Sequence, residues 1–342
     1  MIDVKHTKFL LLLLVLLPIV FLMQLFIGSV NISPKVIFEI LTGNSDESLY
    51  QTIILKNRLP GALAAVVAGA PLSVSGLQMQ IMFRNPIAGP YILGISAGAS
   101  LGVALVLMGL HFLPQQSFLA HWLNMPFSIA VAAAVGTALV FLLIFLISLS
   151  VRQSVSLLII GLMIGSAISA LVELLQAFSG KEELQKFVLW GFASFRNITL
   201  HEVKILYAGC AIGLALSISL IKPMQALLGG EVFAETVGVE VNKVKRKIIL
   251  STAILVGSVT AFCGPVAFVG LAVPHICRSV LKTSNTFVLM MSSIIVGAIV
   301  CCICNIISSV PGSDMVLPLN IVTSLLGAPF VIYILFKKTT FA

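Results

Sequence analysis

Of the 342 residues, 59% are hydrophobic and 9% charged, with a mean hydropathy of +1.14. Soluble domains carry roughly a quarter charged residues, so this balance excludes a soluble core and predicts an all-α, polytopic membrane protein. The net charge of +8 has no soluble basic face to occupy; it reads as membrane topology and contact with anionic lipid, not as nucleic-acid binding.

Taken in chain order, apolar runs between polar or Pro/Gly breaks predict about ten spans. They lie near 9–30, 59–82, 88–110, 126–149, 157–178, 202–221, 247–263, 265–277, 286–309 and 318–336. The first follows a basic start, as in a secretory signal. Its apolar stretch from Phe9 to Ile27 exceeds the ~7–15 residues of a signal core, and a retained span is expected. The second, RLPGALAAVVAGAPLSVSGLQMQ, places Ala65, Gly69 and Ser73 four residues apart. That spacing lets helix backbones approach closely in lipid, and Gln78 and Gln80 follow toward the inner end.

Residues 83–102, FRNPIAGPYILGISAGASLG, interrupt the apolar run. Asn85-Pro86 is expected to end the second span and Gly89-Pro90 to restart the chain, since proline lacks an amide hydrogen and clashes with the preceding turn. The glycine and alanine ladder that follows predicts close packing of the third span. In the fifth span, Ser166, Ser169, Glu173 and Gln176 recur at intervals of three, four and three, which puts them on one helical face. Charge inside a bilayer costs about 2.5–3.5 kcal/mol at the centre and normally faces a bundle interior or water. The stripe is therefore read as a pathway wall; the alternative is serines bonded to their own helix and Glu173 at the outer surface.

Two polar segments exceed simple turns: 31–57 with VIFEIL, and 179–200 with KEELQKFVLW, each amphipathic enough to lie along the membrane surface. Residues 222–245, KPMQALLGGEVFAETVGVEVNKVK, form the longest loop on the basic side, and Gly-Gly and Val-Gly-Val divide it into two short helical pieces. A loop with its own local structure is expected to have a partner. The eighth span is short and bracketed by Pro265 and Pro274, which predicts a broken crossing buried in protein or lining a wet cavity.

Orientation follows lysine and arginine. With ten crossings and the N-terminus inside, 13 basic residues fall inside and 7 outside, accounting for all 20. The outside set is Lys35, Lys56, Arg58, Lys181, Lys186, Arg196 and Lys204, and both termini are expected in the cytoplasm. Chemistry of other kinds finds little support. The six cysteines, CCIC at 301–304 included, lie in or beside apolar segments and read as small packing residues. The five histidines are dispersed; His275 adjoins the short span, and His111 and His121 flank an outside loop. No metal site, cofactor, catalytic set or phosphate-binding G-x-x-x-x-G-K-[ST] loop is expected.

The second and third spans together resemble the FecCD-type permeases of ABC importers for iron-siderophores, haem and vitamin B12. LLIIGLMIG in the fifth span, LLGGEVFAETVGV in the long loop, GPVAFVGLAVPHICR at the eighth and LPLNIVTSLLGAPFVIYIL in the tenth extend the resemblance along nearly the whole chain. It implies a type II ABC importer permease architecture, a single transmembrane domain over 1–342 and a homodimer with the path at its axis. The implied partners are two cytoplasmic ATPase subunits and a periplasmic or lipid-anchored substrate-binding protein, in the cell inner (plasma) membrane. The permease would not itself be an enzyme.

By motif, Gly230, Glu231, Ala234 and Gly238 resemble the coupling helices that dock into the ATPase. Asn85 and Ile87 resemble an inner gate, and Ser154 and Val155 a second gate segment. Arg58, beside Lys56, matches an outward arginine that meets acidic residues of the binding protein. The chain departs from the vitamin B12 members at Gly61 and, by alignment, at Ser309, where those have further arginines. Ferric siderophore is expected as cargo because it is the broadest cargo class of the family, with haem and cobalamin as alternatives. An ion-gradient-driven secondary transporter using Glu173 is the competing reading of another class.

Overall fold

The computed structural model describes residues 4–28, 30–43, 48–109, 127–151, 153–196, 198–309 and 316–336. Its regular elements are helical. In order they are α1 (Val4–Phe26), α2 (Pro34–Leu41), α3 (Ser48–Ile53), a π turn (Ile54–Arg58), α4 (Leu59–Met82), a 3₁₀ turn (Pro90–Leu93), α5 (Ile95–Gly109), α6 (Ser128–Ser150) and α7 (Ser154–Ala177). There follow α8 (Lys181–Gly191), α9 (Leu200–Ser219), α10 (Ile221–Leu228), α11 (Glu231–Thr236), α12 (Val241–Cys263), α13 (Val269–Leu281), α14 (Thr286–Ser308) and α15 (Leu319–Phe336).

Among the described residues, seven helical segments are long and apolar enough to cross a bilayer, and shorter apolar helices at α5, α13 and α15 bring the number to ten. This agrees with the about ten spans expected, but several boundaries move. The third helix begins at Ile95, not near 88, because residues 90–93 close as a 3₁₀ turn and Gly94 stops it in the left-handed region at φ +69°. The seventh begins at Val241, six residues early. Val241, Val244, Lys245 and Ile248 are all buried, at the i, i+3, i+4, i+7 spacing of one helical face. Pro274 does not bracket the eighth helix; it lies inside α13. The break comes earlier, where Gly264 (φ +76°) and Phe268 (φ +64°) leave the helical region. His111, His121, Arg152, Lys337 and Lys338 lie outside the described residues.

The chain divides into two compact units, with boundaries inside α4 and α9. The first comprises Met1–Leu77, Ala193–Cys210 and Val266–Ala342. Here α1 packs on α14, joined by Asn305 Nδ2 donating to Gln24 Oε1 at 2.7 Å. The close helix approach expected at Gly69 and Ser73 is present. A Cβ on Gly69 would collide with the Gly297 carbonyl, and one on Gly297 with Ser73 Oγ. The broken backbone before α13 is satisfied by a side chain, the Ala267 N–H donating to Asn320 Oδ1 at 3.0 Å. The amphipathic α2 starts at an Ser33 cap with Pro34 in its first turn; it buries Ile37 and Ile40 against Leu25, Ile32 and Ile54.

The second unit comprises Gln78–Phe192 and Ala211–Pro265. Its densest packing joins α5 to α6, as the glycine ladder predicted. A Cβ on Gly98 would meet the Gly136 carbonyl at 2.6 Å, and one on Gly102 would collide with the Ala132 carbonyl. The amphipathic α8 lies against α5, with Phe187 and Trp190 on the cluster formed by Ala99, Val103 and Ala133. Gln78 is internal, within 3.2 Å of Ser251 Oγ and Thr252 Oγ1, while Ser217 and Ser251 share a 2.6 Å bond.

Candidate functional site

Three segments singled out in the sequence meet in the second unit: the turn at 83–87, the start of α7 and the 222–245 loop. The loop forms two short helices, as its glycines imply. Gly230 takes φ +107°, between α10 and α11, where a side chain would be strained. Gly238 takes φ +84°, its N–H donating to Glu235 O at 3.0 Å and that of Val239 to Ala234 O at 2.9 Å. This is a Schellman closure, with Ala234 fully buried beneath it.

Glu231 opens α11 and is shared by two other helices. Ser154 Oγ, at the first residue of α7, donates to Glu231 Oε1 at 2.8 Å. Lys245 Nζ, on α12, lies 2.8 Å from Oε2, with the lysine side chain 7% exposed. Burial opposes the Glu231 charge. Hydrogen bonds from Lys245 and Ser154, with the charges of Lys245 and Arg84, outweigh it and hold the carboxyl below its ordinary value. Arg84, at φ +49°, stands 3.6 Å from where a Gly230 Cβ would lie. Beside it Asn85 Oδ1 accepts from the Ile87 N–H at 3.1 Å, closing the turn. Ile87 and Val155 are exposed, whereas Ser154 is buried. On the outward side of α11, Val232, Phe233 and Val237 are also exposed, Val232 at 77%.

Farther along α7 the unit holds an open cavity of about 460 Å³. Ser166, Ser169 and Glu173 line it, opposite Tyr91, Gly94 and Ala97. The stripe is thus brought together on an exposed face, except for Gln176, which is half-buried and absent from the lining. Ser166 also bonds back to Leu162 O at 3.0 Å, so part of the alternative reading holds for that hydroxyl. Glycines make the wall thin: a Gly94 Cβ would lie 3.1 Å from Gly165 Cα.

In the first unit, Arg58 is partly engaged. Its Nη1 donates to Leu25 O at 2.8 Å and to Phe26 O at 3.4 Å, and its Nη2 donates to Val30 O. The side chain thereby supplies donors to carbonyls at the end of α1. Arg196 lies close enough for the two charges to repel, and burial pulls its own pKa below the ordinary value, although a guanidinium stays protonated. Among the described residues no carboxylate forms an ion pair with either. A Cβ on Gly61 would lie 2.8 Å from Phe195 O and 3.8 Å from Arg196 Cα, so a side chain at 61 would require the backbone at Phe195 to shift, and Arg196 occupies that neighbourhood. Ser309 is buried and bonds Asn305 O at 2.8 Å, while Lys56 is exposed. Among the described residues no group of three or more His, Cys, Asp or Glu side chains converges as a metal site.

Reading by sequence missed Arg84, Lys245, Arg196 and Asn320. As basic residues at span ends, Arg84 and Lys245 on the inside and Arg196 on the outside enter the sequence reading only through the topology count. Lys245 had a findable mark, since it falls on the apolar stripe of its helix.

Similarity to known proteins covers the whole arrangement. Residues 14–337 match the model of the FecCD transport family. The vitamin B12 import system permease BtuC of Vibrio parahaemolyticus is 32% identical over 95% of this chain and 92% of its own length. The hemin transport system permease HmuU of Yersinia pestis is 30% identical over 95% and 94%. Among solved structures, an inward-facing conformation of a provisionally assigned metal-chelate type ABC transporter is 26% identical, with a TM-score of 0.82 over 97% of this chain and 99% of that one. Helical architecture, motif order and full-length similarity agree: the chain belongs to the FecCD transport family and is an integral membrane permease of an ABC importer.

Proposed function

We propose that this permease carries a bulky metal chelate, a ferric siderophore first, across the cell inner membrane as a homodimer. The observation that carries the reading is the open cavity on α7, with polar but mostly uncharged side chains facing walls of glycine and alanine. Its volume lies within the ~300–1,000 Å³ common for ligand sites, and the lining offers few fixed hydrogen-bond partners, as suits a cargo that must also leave. A path at the axis of two copies would place this exposed face of α7 against its equivalent. Relatives named for vitamin B12 and hemin, with a metal-chelate neighbour, support chelates as the class; iron is preferred as the family's broadest cargo.

Energy comes from ATPase subunits docked at residues 222–245 on the cytoplasmic side, where the exposed Val232, Phe233 and Val237 offer an apolar contact. Asn85, Ile87, Ser154 and Val155 form the inner gate beside it. On the opposite side Arg58, Lys56 and Arg196 meet carboxylates of the substrate-binding protein. Both termini lie in the cytoplasm under the charge rule, and 1–342 acts as one transmembrane domain.

Reconstitution with the cognate ATPase and binding protein tests this. ATP-dependent uptake of a ferric siderophore, above that of cyanocobalamin and hemin, is the expected result. Uptake by the permease alone under a proton or sodium gradient would overturn the ATP-coupled reading, and preference for cyanocobalamin or hemin would replace the cargo.

A further inference from the structure

We propose that Glu231 works inside the permease, as a latch that ties α11 to α7 and α12, and not as a contact with the ATPase. The inference rests on the permease reading above. Both carboxylate oxygens are already engaged, one by Ser154 of α7 and the other by Lys245 of α12, each at 2.8 Å. The lysine is buried at 7% exposure, so loss of the carboxylate takes the opposing charge away from a buried cation, which is unfavourable. Gly230, strained for any other residue, starts α11 so that the Glu231 carboxylate, itself 41% exposed, meets Ser154 and Lys245, while Val232, Phe233 and Val237 are exposed. One short helix thus divides its labour: the apolar side meets the partner and the acidic end holds the permease's own helices.

The latch has a mechanical consequence. α7 runs unbroken from Ser154 to Ala177 and contains no proline, so it moves as a rod. Ser166 and Glu173, in the cavity wall, lie 12 and 19 residues beyond Ser154, roughly 18 and 28 Å along the axis. Displacement of α11 is delivered through the Ser154–Glu231 bond to the wall of the cavity, and Lys245 fixes the direction by holding the same carboxylate from α12. Arg84, whose charge acts on Glu231, brings the 83–87 turn into the same node. Such a contiguous set of bonded groups is a physical route by which energetic coupling can pass between distant sites.

The test uses the complete transporter, permease with ATPase and binding protein, in liposomes, and reads ATP hydrolysed per cargo delivered together with ATPase co-purification. Ser154→Ala, Glu231→Gln and Lys245→Met should each raise ATP consumed per cargo about tenfold, the factor corresponding to loss of one charge-assisted hydrogen bond, with ATPase co-purification unchanged. Ser154→Thr and Lys245→Arg, which keep the donors, should restore the wild-type ratio. Ser154→Ala removes one hydroxyl and keeps the test valid where a charged variant fails to insert. A wild-type ratio in Ser154→Ala would overturn the latch, and so would loss of ATPase co-purification in Glu231→Gln, which would make Glu231 a docking contact. A wild-type transporter without ATP-dependent uptake would count against the permease reading itself.

Discussion

Asn320 illustrates how one side chain lets backbone be irregular at membrane depth. The chain before α13 departs from helix at Gly264 and Phe268, which in lipid requires that freed backbone groups find partners within the protein. The Asn320 amide oxygen supplies one at Ala267. Asn320→Leu keeps the branching at Cγ, adds some bulk and removes the acceptor, so the partly buried Ala267 N–H loses its side-chain partner, at a cost of about 1 kcal/mol. We expect a lower thermal midpoint in detergent, read by a fluorescence melt of the purified protein, and unchanged membrane insertion. An unaltered midpoint would show that water serves Ala267 equally well. The asparagine stood in plain view in LPLNIVT, but its partner lies more than fifty residues away, and no local pattern pairs the two.

Among the elements, those governed by local rules were the most legible. The ladder from Gly94 to Gly102 announced close packing because only glycine and alanine allow backbones to meet at carbonyl distance, and α5 and α6 do so. The two helices of the 222–245 loop were visible for a similar reason: Gly230 and Gly238 hold positive φ, the conformations glycine is used for. Helix starts were less legible. Proline at 90 suggested a restart but could not tell a 3₁₀ turn from the first turn of α5. Lys245 was obscured because basic residues at that end of a span are expected on charge grounds alone; its inward position shows only when its place on the Val241–Ile248 stripe is counted. The Glu231 node also makes a pH prediction. Its carboxyl is held below the ordinary value in the folded state, so its stabilising contribution is complete above the unfolded carboxylate's pKa and is lost as pH falls through the depressed one. Wild type should therefore melt above Glu231→Gln at neutral pH, with the gap constant down to mildly acidic conditions and closing only at or below the ordinary carboxylate range. A gap that closes near pH 7 would remove Glu231 as the group responsible.

At the scale of the molecule, composition alone established a helical membrane protein, and the apolar runs gave about ten spans, which ten apolar helices among the described residues match. What one dimension hid was how separate stretches supply one function. The family motif points to Arg58 for docking, and Gly61 stands where the resemblance to the vitamin B12 members implies another arginine. In the folded first unit, Arg58 is partly spent on Leu25, Phe26 and Val30 carbonyls, while Arg196, well over a hundred residues later, stands beside Gly61. Two partly buried guanidiniums without a carboxylate partner among the described residues repel one another, a cost that an acidic group on a binding protein would relieve. The two positions should then respond differently to substitution. Under the proposed docking role, Arg58→Ala would remove a docking charge and also strand carbonyls at the end of α1, so it should lower both binding-protein affinity and thermal stability. Arg196→Ala should leave stability equal or slightly raised, because a repulsion is lost, yet weaken docking by about tenfold or more, within the range for truncating one member of a desolvated charge pair. Arg196→Lys should recover only part of the affinity, since an ammonium cannot grip a carboxylate with two parallel bonds. Binding of the purified binding protein to the permease in nanodiscs, measured alongside a thermal melt, separates these outcomes. Equal affinity for wild type and Arg196→Ala would return the docking role to Arg58 and Lys56.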